Sequence, residues 1–139
     1  MFISYRQHNA RRADIVEDII AKNKKRYTDD KTSFVCLDAV QDDLPRADLV
    51  ICRDCLVHLS YADISRALQN IKKSGAKYFL TTTFPNLAEN RDIKTGDWRP
   101  LNLQQEPFKL PEPLEIVNED CPEKEYADKS LGLWAVSDL

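Results

Sequence analysis

Residues 47–84 read ADLVICRDCLVHLSYADISRALQNIKKSGAKYFLTTTF, and their patterning decides the fold class. Leu49, Val50, Ile51 and Cys52 form a continuous apolar run, the pattern of a strand covered on both faces, as in parallel sheets. Ser60, with Asp63 three residues on, has the spacing of a capping box and predicts a helix. Ile64, Ala67, Leu68 and Ile71 make one apolar face of that helix, and Ser74-Gly75 closes it. KYFLTTTF (77–84) supplies the next strand. Strand, helix and strand in this order predict an α/β sheet with helices on its faces.

The same reading extends in both directions. From Asp14 to Tyr27, Val16, Ile19, Ile20 and Tyr27 recur at helical spacing, and Asp14 with Glu17 suggests a capping box that starts this helix at Asp14. SFVCLDAV predicts a short buried strand at 33–37 ending in Asp38, and the polar turn QDDLPR leads back to the opening stretch. Downstream, 85–113 is irregular and holds five of the seven prolines, a length and composition that suggest a functional loop. Two last strands are expected at about 114–119 (LEIVNE) and 131–136 (LGLWAV), and no internal repeat is visible.

With 139 residues, 42% hydrophobic and 31% charged, the chain is expected to form one domain, 1–139, with 1–12 as an atypical N-terminal segment. No apolar run reaches the roughly 18–20 residues of a membrane span. MFISYRQHNARR places its basic residues after a very short apolar stretch, the wrong order for a secretory signal. Four cysteines (36, 52, 55 and 121) without such a signal suggest reduced thiols and a cytoplasmic location. Residues 1–31 hold eight Lys/Arg against five Asp/Glu, whereas 110–139 hold two Lys against eight Asp/Glu. KNKKR at 22–26 reads as the solvated C-terminal end of a helix. No aromatics alternate with these charges, so a nucleic-acid surface is not expected.

In such sheets ligands bind beyond the carboxyl ends of the strands. The polar residues at those ends are Asp38, then Arg53 and Asp54, then Thr81–Thr83. Asp38 also suits a plain turn and Asp14 a plain helix cap, and His58 also suits a satisfied, partly buried imidazole. Two charges directly after a buried strand, Arg53 and Asp54, must be paired, hydrated or facing a ligand. Cys52-Arg-Asp-Cys55 has CxxC spacing, but Cys36, Cys121, His8 and His58 add no paired spacing for zinc. Cys52 also lies in a strand and not at a helix N-terminus, where a redox pair would sit, so no metal is expected and the spacing is read as coincidence.

Taken in order, ADIVEDIIAKNKKRY, FVCLDAV, LPRADLVICRDCLVHLSYADI, KYFLTTTF and LGLWAV resemble the class I S-adenosylmethionine-dependent methyltransferases over about residues 13–139. They match that family's second strand and helix, third strand, fourth strand and helix, fifth strand, and last strand of a C-terminal antiparallel hairpin. The resemblance implies a truncated, Rossmann-like α/β fold: a mostly parallel sheet with helices on its faces. It implies S-adenosylmethionine as cofactor and a small-molecule methyl acceptor. Asp14 would bind the ribose hydroxyls and Asp38 the adenine amine, with Ala39 beside the ring. Arg53 would lie at the cofactor's methionine part, and Arg53, Asp54 and His58 would position or deprotonate the acceptor. Asn90, Trp98 and Arg99 would contact substrate from a substrate-side loop, 85–113.

The family begins with a strand and a glycine-rich turn, and here the only glycines are 75, 96 and 132. That first strand is central, between the second and the fourth, so its absence implies a gap in the sheet. Phe2–Tyr5 as a makeshift strand, a second copy of the chain or a rearranged order would fill it, and a homodimer is the expectation, exchanged elements being one way to form it. The alternative function is a non-catalytic relative serving as a binding or dimerisation module.

Overall fold

A computed structural model describes residues 2–139; Met1, the first residue of the N-terminal segment, lies outside the described residues. Seven strands form one sheet: β1 (Phe2–Arg6), β2 (Asn9–Asp14), β3 (Thr32–Cys36), β4 (Leu49–Cys52), β5 (Tyr78–Thr83), β6 (Glu115–Asn118) and β7 (Ser130–Ala135), in the order β3-β2-β1-β4-β5-β7-β6. Helix α1 (Glu17–Tyr27) connects β2 to β3, and α2 (Tyr61–Lys73) connects β4 to β5. Both are crossovers between strands that run the same way, the arrangement 47–84 foretold. Five strands, β2 to β6, share one direction; β1 and β7 run against them. Hence the sheet is mostly parallel in strand direction, although most of its neighbouring pairs are antiparallel.

The central position is filled from within the chain. Phe2–Arg6 pairs with β2 on one side and β4 on the other, antiparallel to both. Of the three ways to close the gap, the makeshift strand is the one adopted, so the sheet needs no second copy to complete it. β1 reaches β2 through a tight turn whose two residues, Gln7 (φ 48°) and His8 (φ 67°), both lie in the left-handed region. Such hairpin turns usually carry Gly or Asn there.

The first helix starts three residues later than its sequence suggests. Asp14 still belongs to β2, opposite Cys36, and its Oδ1 accepts the Val16 N–H at 3.0 Å, turning the strand into the helix. Asp14 is therefore not a helix cap; Val16 occupies that position and makes no side-chain cap bond. The second helix is built as expected. Ser60 Oγ accepts the Asp63 N–H, and Ile64, Ala67, Leu68 and Ile71 are all buried. Gly75, at φ +71°, follows its end with the left-handed conformation that costs other residues most.

The two crossovers, β2 to β3 and β4 to β5, step away from β1 in opposite directions, and the right-handed rule for such units puts their helices on opposite faces. The burial agrees: the α2 face joins Val50, Phe79 and Trp134 in the main core, while Ile20 of α1 and Phe34 are buried outside that cluster. On the α1 face, Ile3, Ile51, Leu80 and Leu133 stand in register across four strands, only half-buried. Residues 85–113 carry no helix or strand, yet they are packed: Leu101 and Leu103 are fully buried, and Trp134 Nε1 donates to the Pro111 carbonyl at 2.9 Å.

Candidate functional site

The carboxyl ends of β2, β3, β4 and β5 lie along one edge of the sheet, and the chain places its polar tips there. Asp14 ends β2; the Leu37 N–H donates to the Asp14 carbonyl at 3.1 Å, which holds the exit of β3 beside it. Asp38 follows at once, with its carboxylate accepting from the Val40 N–H at 2.8 Å and from Gln41 Nε2 at 2.9 Å. The carbonyls of Ala39 and Val40 accept from Asn70 of α2, so this loop is clamped against the helix. Cys55 sits close enough to both aspartates for their charges to act on its thiol. Asp14, Asp38, Ala39 and Cys55 thus share one neighbourhood.

Arg53 and Asp54 leave β4 in a tight turn, Asp54 at φ 51° with its N–H donated to Thr82 Oγ1 at 2.9 Å. Arg53 Nε donates to Glu119 Oε1 at 2.6 Å, and that carboxylate raises the guanidinium pKa. Lys129 Nζ lies 2.7 Å from Asp54 and 3.7 Å from Glu119. Two charges after a buried strand are therefore paired, in a network of four. Sequence reasoning missed Glu119 and Lys129 as partners: Glu119 was read only as the end of an expected strand and Lys129 as part of an acidic stretch, both far along the chain from Arg53 and Asp54.

Cys52 and Cys55 are neighbouring free thiols at the same tip. The neighbouring Cys52 thiol holds Cys55 down to about 7, and Cys55 together with burial pushes Cys52 well up. Both are reduced, and no group of three or more His, Cys, Asp or Glu among the described residues is placed to hold a metal.

The remaining expected site residues fall in two places. His58 Nδ1 is 2.9 Å from the Asp97 carbonyl, and the His58 carbonyl accepts the Gly96 N–H, so it anchors the long loop. Arg99 is fully buried and faces no open cavity: Nη1 donates to the Leu56 carbonyl at 2.9 Å and Nη2 to that of Leu59 at 2.8 Å. Burial lowers its pKa, and its guanidinium lies over the Tyr61 ring, 5.8 Å from the centroid. Asn90 Nδ2 bridges the carbonyls of Asn102 and Glu106, while its Oδ1 accepts the Asn102 N–H. Arg99 and Asn90 staple the loop. Asn90 also lines two cavities of about 350 and 330 Å³ within the loop, whereas Trp98 borders a different one, of about 430 Å³, together with Asp54, Phe84, Cys121, Glu123, Tyr126 and Lys129. This cavity adjoins the tips of β4 and β5. A larger one, of about 550 Å³, lies at the opposite end of the sheet among Arg6, Arg11, Lys31 and Arg46.

The cofactor suggested by the sequence fits this edge in part. Carboxylates at the tips of β2 and β3 suit the hydroxyls and amine of a nucleoside. Beside them, however, the N-terminal end of β1, Phe2, lies where a first strand would depart into a glycine-rich turn. Gly75 follows α2, Gly96 lies in the long loop and Gly132 is within β7, so none offers close backbone approach at this edge. The residues suit the nucleoside half and not the amino-acid half.

No family model matches the sequence, and no curated protein matches it. Solved structures do. Human N-acetylserotonin methyltransferase in complex with SAM is similar with a TM-score of 0.52 at 18% identity, covering 66% of this chain and 30% of that one. The methyltransferase domain of a bacterial Hen1 gives a TM-score of 0.60 at 11% identity, covering 92% and 78%. The [4+2]-cyclase SpnF gives 0.58 at 14% identity, covering 90% and 64%. The chain thus spans less than a third of the N-acetylserotonin methyltransferase structure. Among the described residues no helix is long and apolar enough to cross a membrane. Strand order, the two crossovers, the inserted last strand and these likenesses agree: the chain has the class I methyltransferase fold, with its central strand reversed.

Proposed function

We propose that this chain acts on a small molecule as an S-adenosylmethionine-dependent methyltransferase, holding its cofactor chiefly through the nucleoside. The observation that carries the reading is the set of carboxylates, Asp14 and Asp38, at adjoining strand tips beside the Arg53–Asp54 turn and an aromatic cavity. When bound, the cofactor supplies a methyl group on a sulfonium. Asp14 would accept from the ribose hydroxyls, and Asp38 with Ala39 would meet the base. Arg53 and Asp54, fixed by Glu119 and Lys129, would hold the small molecule's polar end. His58, tied to Asp97, would keep the loop 85–113 over the site, and through it Trp98.

Calorimetry tests this directly. Adenosine and S-adenosylmethionine should bind with Kd values within roughly tenfold of each other, about 1.4 kcal/mol, because only the shared half is read. Asp14→Asn should weaken both by about 1–3 kcal/mol. No heat with either ligand at millimolar concentration would sink the reading. Binding without methyl transfer to any amine, hydroxyl or thiol acceptor would leave a binding module in its place.

Self-association rests on different ground from the gap in the sheet. The half-buried row Ile3, Ile51, Leu80 and Leu133 lies between the lysine-rich α1 and the edge strand β6 with its exposed Glu115. A two-fold axis stacking this face on itself would set basic edge against acidic edge. Sedimentation should report a dimer that Ile51→Glu dissociates; a monodisperse wild-type monomer at micromolar concentration removes the proposal.

A further inference from the structure

The 430 Å³ cavity beside the β4 and β5 tips has walls of an unusual kind. Phe84, Trp98 and Tyr126 pack pairwise edge to face: Trp98–Tyr126 at 5.0 Å and 75°, Phe84–Tyr126 at 6.0 Å and 80°, Phe84–Trp98 at 6.3 Å and 85°. Three planes at near right angles to one another form the corner of a box. They come from three separate segments: the residue after β5, the long loop and the turn before β7. Phe84 is the buried base at 3% exposure, and Trp98, at 38%, is the open rim.

The charges on the lining have one sign left over. Lys129 is committed to Asp54 and Glu119, whereas Glu123 has no ion-pair partner among the described residues. A corner of aromatic faces beside a free carboxylate attracts a weakly hydrated cation, through the negative face of each ring and through Coulomb attraction. Other ligand classes fit worse. A flat aromatic ligand needs a slot between parallel faces, and these rings are perpendicular. A hard metal ion needs several oxygen ligands, which the cavity does not gather. An anion would meet Glu123.

We propose that this cavity binds the alkylammonium group of a small molecule, held by Phe84, Trp98 and Tyr126 with Glu123 as counter-charge. This deepens the function proposed above by naming the class of small molecule, and it rests on that reading only for the molecule's role in methyl transfer.

The test titrates the intact chain, without cofactor, with choline and with choline's neutral isostere in which carbon replaces nitrogen, by calorimetry and tryptophan fluorescence. Choline should saturate, and the isostere should bind at least roughly tenfold more weakly. Trp98→Ala should remove choline binding, and its unchanged circular dichroism would confirm folding, since Trp98 is a rim residue. Glu123→Gln should weaken binding several-fold with all three rings in place. Equal binding of choline and isostere, or no binding of either, overturns the proposal. Adenosine titrated into the same samples reports on the nucleoside site alone, so failure of one reading leaves the other standing.

Discussion

The two crossover units of this sheet, β2-α1-β3 and β4-α2-β5, have the same topology and unequal construction. Helix α2 is capped by Ser60 and buries four apolar side chains in the main core. Helix α1 has no side-chain cap, buries only Ile20, and leaves Ile19 and Tyr27 substantially exposed, as are Ile15 and Val16 just before it. Its dipole is well served, with Glu17 and Asp18 in the first turn and Lys24, Lys25 and Arg26 in the last. α2 has favourable end charges too, Asp63 in its first turn and Lys72 and Lys73 in its last, so what separates the helices is the cap and the packing that α1 lacks. Packing is the stronger of the two, since most helical stability in proteins comes from burying an apolar face. The weaker unit also carries Asp14 and Asp38, the proposed nucleoside contacts, so ligand binding and local stability should be coupled there.

The largest expected effect is on the α2 side. Trp134 is 1% exposed and lies over Gly132, where an added Cβ would come within 2.4 Å of the indole ring. Trp134→Ala should cost about 3–5 kcal/mol in urea unfolding. A cost below about 1 kcal/mol would mean that this half is not the tightly packed one. Ile20→Ala should cost about 2 kcal/mol, at the low end for such truncations. Hydrogen exchange should show α1 amides opening ahead of α2 amides in the wild type; simultaneous exchange would erase the contrast.

Smaller changes sharpen it. Ser60→Ala should lose about 1 kcal/mol, and Val16→Asp, which supplies the cap α1 lacks, should gain up to about 1 kcal/mol. Equal and opposite shifts in the urea midpoint would confirm that capping separates the helices. The smallest effect is one of reactivity. Cys55, held down to about 7, should alkylate with a midpoint near that pH, and bound adenosine should slow it. A depressed thiol contributes stability above its unfolded pKa and loses it as pH falls through about 7. Cys52, shifted upward, acts in the opposite sense, so labelling followed by mass spectrometry is the better measurement. A midpoint near that of an ordinary thiol would show that Cys52 does not act on Cys55 in this way in solution.

Where periodicity met a cap or a closing glycine, the sequence was legible. Ser60, Ile64 to Ile71 and Gly75 specify α2 almost to the residue, because each is a local interaction. The β1–β2 hairpin was hidden for an equally local reason. Its turn, Gln7-His8, has no Gly or Asn to announce positive φ, and NARRAD is poor in the β-branched and aromatic residues that mark strands. Asp14 misled because a carboxylate that ends a strand makes the same short bond to a following N–H as one that caps a helix.

By itself the chain determined its α/β class, its two crossovers and the acidic tips of β2 and β3, since these follow from side-chain period and nearest-neighbour chemistry. Only the tertiary structure decided that β1 enters the centre of the sheet reversed, that Arg53 meets Glu119, and that Phe84, Trp98 and Tyr126 enclose a corner. Those outcomes depend on contacts between residues far apart along the chain, where the cost of closing a loop is recovered only by what the ends find on meeting, and no short window of sequence contains that information.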